Sequence, residues 1–230
     1  METTREALIP PASKKRFPED GPQDAELLVE GADDFNLLFH FVHLHKLVGV
    51  CTVIEGKGID DVLDSLRLRL RLGDVERIGI VVDADEAAQP RWESIRSILI
   101  SNGYDTDQLP PSLSGNGTII RQIDLPTVGV WVMPDNFNPG MVENFVEMLI
   151  PQDDVLWPVA ARCVDNIAIA QRRFIPEHLT KAKIHTWLAW QQEPGKPIGQ
   201  ALRKKYFDGE AAPAVAFASW MRTLFSPTTV

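Results

Sequence analysis

The chain has 230 residues, 44% of them hydrophobic, and a formal net charge of −9. This length supports a sizeable core in one large domain or two small ones, and no apolar run approaches the roughly 20 residues that cross a bilayer. The acidity argues against a protein that grips nucleic acid by itself through a broad basic face. Its two cysteines, Cys51 and Cys163, give neither a disulfide framework nor zinc spacing and fit reduced thiols in a cytoplasm.

Residues 1–24 read as a lead-in without the apolar region or cleavage pattern of a secretory signal. "AELLVEG" (25–31) is a short apolar run closed by Gly, the pattern of one buried strand. In "ADDFNLLFHFVHLHKL", Phe35, Leu38, Phe39, Val42 and Leu47 recur at roughly helical spacing, and the acids fall at the end where they suit the helix dipole. "VGVCTVIEG" is β-branched and predicts a second strand. "IDDVLDSLRLRLRLGD" alternates Leu and Arg as a strand would, yet Val62, Leu63, Leu66 and Leu70 share one helix face. Its length and composition favour a helix whose charges face solvent.

"RIGIVVDAD" (77–85) is a third strand, and "QPRWESIRSILISNGY" is a helix with Pro near its start and Gly103 at its end. "LPPSLSGNGT" is loop, followed by strand candidates "IIRQI" and "VGVWVMPDN". From residue 140 onward four helical patterns follow, "GMVENFVEMLI", "DVLWPVAARCVDNIAIA", "PEHLTKAKIHTWLAWQQ" and "AVAFASWMRTLF". The expected fold class is therefore α/β: a mainly parallel central sheet with helices on both faces over residues 25–150, and a helical portion over 151–230 packed on it.

Glu30, Asp83, Asp85 and Asp135 each fall at the carboxyl end of a predicted strand, where ligands of such sheets bind. If the strands are parallel neighbours, their carboxylates converge and raise one another's pKa. A hard divalent cation with oxygen ligands, Mg²⁺ or Mn²⁺, removes that cost. In "DAD", side chains two apart share a face, so Asp83 and Asp85 can share a metal. The plainer reading is that these are helix caps and loop acids; four acids at equivalent strand ends favour the metal.

"LLVEGADD" followed by "IGIVVDAD" resembles the Toprim domain of topoisomerases, primases, recombination proteins and certain nucleases. The remainder of the chain is similar to small bacterial Toprim-related proteins that carry only an uncharacterised-domain label. The resemblance implies that Glu30 is a metal ligand or general acid/base, that Asp83 and Asp85 are Mg²⁺ ligands, and that Asp34 helps hold a metal. Asp135 and Glu143 lie outside the minimal signature and are added from their expected place beside the sheet. Topoisomerase and primase activities are not expected, since Tyr104 and Tyr206 stand in no recognisable nucleophile setting and there is no partner domain for either reaction.

Lys57, in "EGKGID", lacks the spacing of a phosphate-binding P-loop, but follows a strand expected beside Glu30 and is carried as a catalytic candidate. Lys181 and His185 are carried as substrate-binding candidates, although Ile184, Trp187, Leu188 and Trp190 around them read as a packing face. His40, His43 and His45 lack the HExxH arrangement and read as core or helix-face residues. The functional expectation is a metal-dependent phosphodiester hydrolase acting on nucleic acid, by analogy in a bacterial defence or stress pathway. Its rivals are a non-catalytic module working through a protein partner, such as a DNA-binding subunit or an ATPase, and a phosphatase or nucleotide hydrolase.

Overall fold

Strands that are apolar on both faces can be stable only where helices cover both sides of a sheet. The computed structural model, which describes residues 15–18 and 20–226, has this arrangement. Most of the expected lead-in lies outside the described residues. Among the described residues, six strands, β1 (Arg16–Phe17), β2 (Ala25–Val29), β3 (Thr52–Glu55), β4 (Arg77–Asp83), β5 (Thr118–Ile120) and β6 (Thr127–Met133), form one sheet in the order β1-β3-β2-β4-β6-β5. The four central strands are parallel, while β1 and β5 pair antiparallel at the edges. The α/β expectation holds.

Among the described residues, eight α-helices surround the sheet: α1 (Ala32–Leu44), α2 (Ile59–Leu72), α3 (Ala88–Ser101), α4 (Val142–Glu147), α5 (Trp157–Asp165), α6 (Leu179–Leu188), α7 (Ile198–Arg203) and α8 (Ala212–Phe225). Strand alternation splits the interior into two cores. Leu27, Val29, Val81 and Trp131 pack with α1 and the helices from α4 to α8, whereas Leu28, Ile80, Val82 and Val130 pack with α2 and α3. The Leu-Arg segment is a helix, as its apolar face predicts, with Val62, Leu63 and Leu66 buried. Arg69 departs from a purely solvated face. It reaches inward to Glu26 on β2, which Arg16 of β1 also contacts at 3.2 Å, so a carboxylate buried in mid-sheet is neutralised from two sides. The short α7 and the edge strand β1 were not expected from the sequence; both are too short to show a period.

The C-terminal helices share the core of β2, β4 and β6. They approach it closely where Gly79 of β4 and Gly129 of β6 face each other in register. A Cβ on Gly79 would meet Leu27 and Phe225 at 2.6 and 2.9 Å, and one on Gly129 would meet Leu224 at 2.4 Å. The two glycines thus make a seat for the last turn of α8. Among the described residues, no helix is long and apolar enough to cross a membrane.

Gly129→Ala is expected to destabilise the chain by about 1–3 kcal/mol in urea denaturation, because the new methyl overpacks against Leu224. Leu224→Ala in the same chain should recover part of that loss, since the two sites are in contact. Additive losses in the double variant would show that the seat does not couple the sheet to α8.

Candidate functional site

The connections on either side of β2 and β4 leave by opposite faces: α1 follows β2 on one face, and α3 follows β4 on the other. This is the topological switch point, where the carboxyl ends of a parallel sheet open a crevice. In register, Val29 pairs with Val81, which sets Glu30, just beyond the ladder, level with Val82 and one residue short of Asp83. The Asp83 N–H donates to Glu30 Oε2 at 3.1 Å. Behind Glu30, the 56–58 loop is tied down by the Gly56 N–H to the Val29 carbonyl at 2.8 Å and the Gly58 N–H to the Glu30 carbonyl at 2.9 Å. A Cβ on Gly56 would stand 2.8 Å from that Val29 carbonyl, so this close approach requires glycine.

Two helix starts complete the crevice. Asp34, in the first turn of α1, is buried, and its Oδ2 accepts from the Gly31 N–H at 3.2 Å. Its Oδ1 is buried with no hydrogen-bond partner. At the start of α4, the Val142 N–H donates to Asp83 Oδ1 at 3.0 Å, and the adjacent Glu143 is buried. Lys181, on α6, crosses over both helices, donating to Asp33 Oδ2 at 2.7 Å and pairing with Glu143 Oε1 at 2.9 Å.

The electrostatics match this crowding. Burial raises the Asp34 pKa to about 7, with the Glu30 and Glu143 charges adding to it against the Gly31 bond. Asp83 rises to about 9, first through burial and then through Asp34, Glu30, Glu143 and Asp85. Burial also raises Glu30, while the Asp83 N–H and the Arg91 guanidinium pull it back. Burial opposes the Lys181 charge, but its bonds to Asp33 and Glu143 prevail and hold its pKa above the ordinary range. Glu30, Asp34, Asp83 and Glu143 are thus one interacting set of carboxyls.

Asp85 sits at the rim of that set. It has φ of +52°, and its backbone exchanges hydrogen bonds with Gly140. Its exposed carboxylate pairs with Arg91, whose Nε donates to the Asp83 carbonyl at 3.1 Å. The structure does not bring Asp135 into the cluster. Its carboxylate caps its own turn, accepting from the N–H groups of Phe137 and Asn138 at 3.1 and 2.8 Å and from Asn138 Nδ2 at 2.6 Å. Burial pushes the Asp135 carboxyl up, but these bonds outweigh it and the pKa is lowered. Lys57 is exposed on the loop clamped behind Glu30, its N–H donating to Asp61 Oδ2 at 3.0 Å. His185 is exposed one turn beyond Lys181 and is not among the groups acting on the cluster's carboxyls.

Sequence reading missed Asp33 and Arg91. Arg91 had a usable signal: in "QPRWES" it falls in the first turn of the helix that follows the "DAD" strand. The tyrosines are structural. Tyr104 donates to the Pro126 carbonyl, and the Tyr206 hydroxyl accepts from the Glu193 N–H at 3.1 Å.

The donor set suits a hard cation, being all oxygen and including the unpartnered Asp34 Oδ1. Among the described residues, no three His, Cys, Asp or Glu side chains already stand as a coordinating group. The fit is to an ion that takes one or two carboxylates and completes its shell with water and substrate, as Mg²⁺ commonly does.

The family described as "Protein of unknown function (DUF3226)" matches residues 24–226, and the chain belongs to it. No curated protein and no solved structure matches the chain.

Because the Asp83 carboxyl keeps its proton in the folded state far above its unfolded value of 3.8, the unfolded chain binds fewer protons between those limits. Stability drawn from this residue therefore falls as pH rises from about 4 to about 9. Asp83→Asn keeps the acceptor for the Val142 N–H and removes the charge. In EDTA its Tm should equal that of the unaltered chain near pH 4 and exceed it by roughly 4–8 °C at pH 8, the equivalent of about 2 kcal/mol. A gap that does not change with pH would mean that the fold does not hold Asp83 in its protonated form.

Proposed function

We propose that the chain is a divalent-metal-dependent phosphodiester hydrolase of Toprim type acting on nucleic acid. The observation that carries the reading is the convergence of Glu30, Asp34 and Asp83 at the switch point, with one buried carboxylate oxygen of Asp34 lacking any partner. A cluster in which burial and like charge work against ionisation is a common mark of a catalytic or metal site. The resemblance of "VEGADD" and "VDAD" to the Toprim motifs points the same way.

Of Glu30, Asp34 and Asp83, the two aspartates would hold Mg²⁺ or Mn²⁺, which when bound would supply Lewis-acid stabilisation of the phosphate and a more acidic water. Glu30, the least enclosed of the three, takes the proton of the attacking water. Its upward-shifted pKa makes it a better base near neutral pH than an exposed glutamate. The Asp83 N–H fixes one oxygen of that carboxylate and leaves the other to face the reaction. Lys57 reaches the substrate phosphate from the loop bound to the Glu30 backbone. Asp85 and Glu143 serve as outer acids, Lys181 limits the negative charge around Glu143, and His185 has no assigned role. The free thiols of Cys51 and Cys163 accord with a cytoplasmic setting.

One observation favours a second reading, a non-catalytic module that binds metal and a protein partner. Lys181 already neutralises part of the acidic set, and the chain's net charge is −9. A partner would then supply the basic surface for nucleic acid, as a DNA-binding subunit or an ATPase could.

Two measurements separate the readings. Mg²⁺ or Mn²⁺ should raise the Tm of the unaltered chain, increasingly with the logarithm of its concentration above the Kd, and Asp83→Ala and Asp34→Ala should abolish that rise. With plasmid, single-stranded DNA and tRNA as substrates, cleavage should require the metal and fall at least about 100-fold in Glu30→Ala. A metal-dependent Tm shift without cleavage would select the module. The absence of both would make the carboxyls structural.

A further inference from the structure

Next to the carboxyl cluster lies a cavity of about 710 Å³, bounded by the start of α3, the turn entering α4 and the segment entering α6. The Glu30, Asp34 and Asp83 side chains are not on its wall; Asp85 and Arg91 are, and they join the two spaces. A volume of this order holds a molecule of small-ligand size.

The wall divides by chemistry. Pro139, Met141 and Pro176 offer flat or pliable apolar surface, which suits a planar ring. Thr180 Oγ1 accepts from Asn144 Nδ2 at 3.0 Å, which leaves its own hydroxyl proton for an acceptor on a ligand. Arg91 is the cation on this wall. Its Nε is anchored on the Asp83 carbonyl, and its outer nitrogen pairs with the exposed Asp85 carboxylate. Exposed pairs of this kind hold little net energy, so a phosphate can take that nitrogen while the anchor keeps the guanidinium oriented. Around this single cation stand Asp85, Glu86 and Glu177, all exposed. They would repel the two backbones of a duplex, but one phosphate close to Arg91 is bound by contact.

We infer that the cavity holds one nucleoside monophosphate unit, its phosphate on Arg91 and its base against Pro139, Met141 and Pro176. The inference rests on the phosphodiester reading and names the unit of substrate or released product that the site takes. That unit is either a free mononucleotide or the terminal nucleotide of a single strand.

The test is a calorimetric titration of the full chain, in EDTA and in Ca²⁺, with adenosine 5′-monophosphate, adenosine, a 5′-phosphorylated single-stranded oligonucleotide and the matching blunt duplex. Ser94 is exposed on α3 and lines the cavity, so Ser94→Trp fills the space without touching the core. The expected result is saturable binding of the monophosphate, weakened at least about tenfold in Ser94→Trp. Arg91→Gln should weaken the monophosphate by a similar factor and leave adenosine unchanged. A strand that binds much more tightly than the monophosphate would identify the ligand as a chain end, and equal binding would identify it as the free nucleotide. Binding that Ser94→Trp leaves intact, binding of the duplex alone, or no saturable binding under either condition would overturn the proposal. Binding of the oligonucleotide without its cleavage in Mg²⁺ or Mn²⁺ would end the hydrolase reading while leaving the cavity assignment standing. Turnover that proceeds at full rate in Ser94→Trp would do the reverse.

Discussion

The burial of carboxyls gathered at the ends of β2 and β4, sharpened by their mutual repulsion, is the constraint around which this molecule is arranged. Glu30 and Asp34, from one stretch, and Asp83 and Glu143 come from three separate places in the chain, and the charges of Glu30 and Glu143 make the buried Asp34 and Asp83 harder to ionise. The fold does little to relieve them. It supplies single N–H groups, from Gly31 to Asp34, from Asp83 to Glu30 and from Val142 to Asp83, and it sets Lys181 across Asp33 and Glu143. One oxygen of Asp34 is left with nothing. A buried polar atom without a partner costs on the order of 1–3 kcal/mol, and such a cost is usually tolerated where a site needs the atom.

The rest of the architecture holds those acids in place. The parallel register of β2 and β4 sets Glu30 level with Val82, one residue short of Asp83, and the glycine-dependent contact of Gly56 with Val29 stiffens the chain behind Glu30. On the far side, α8 settles into the Gly79–Gly129 seat and covers the sheet from below. Then α4 and α6, over the same face, bring Val142, Glu143 and Lys181 to the crevice. The C-terminal helices therefore form part of the site as well as part of the core. The contrast with Glu26 is instructive. That carboxylate is also buried on β2, but Arg69 and Arg16 satisfy it, and it belongs to the sheet's internal structure. Glu26 within β2 and Glu30 just past its end thus have different surroundings, one held by two arginines and the other set beside further acids.

Much of the candidate site was legible because parallel strands carry their ligands at their carboxyl ends, and apolar runs closed by acids mark those ends in sequence. Glu30 and Asp83 were found in this way. Asp135 satisfied the same pattern, yet it caps its own turn, since an acid followed by Asn-Phe-Asn can bond its own backbone before it meets anything else. Asp85 occupied the expected position but turned outward to Arg91, an ion pair that depends on where α3 begins.

By itself, the sequence determined the alternation of buried strands and amphipathic helices, the α/β class, and the delivery of acids to strand ends. These follow from local periodicity and from the need to bury apolar faces, both of which are properties of short segments. Only the tertiary structure decided which acids meet, that Lys181 spans two helices to reach Asp33 and Glu143, that Arg69 turns inward, and that a cavity opens beside Arg91. Each of these joins residues far apart in the chain, and burial and Coulomb interaction depend on distance in space, which no local pattern encodes.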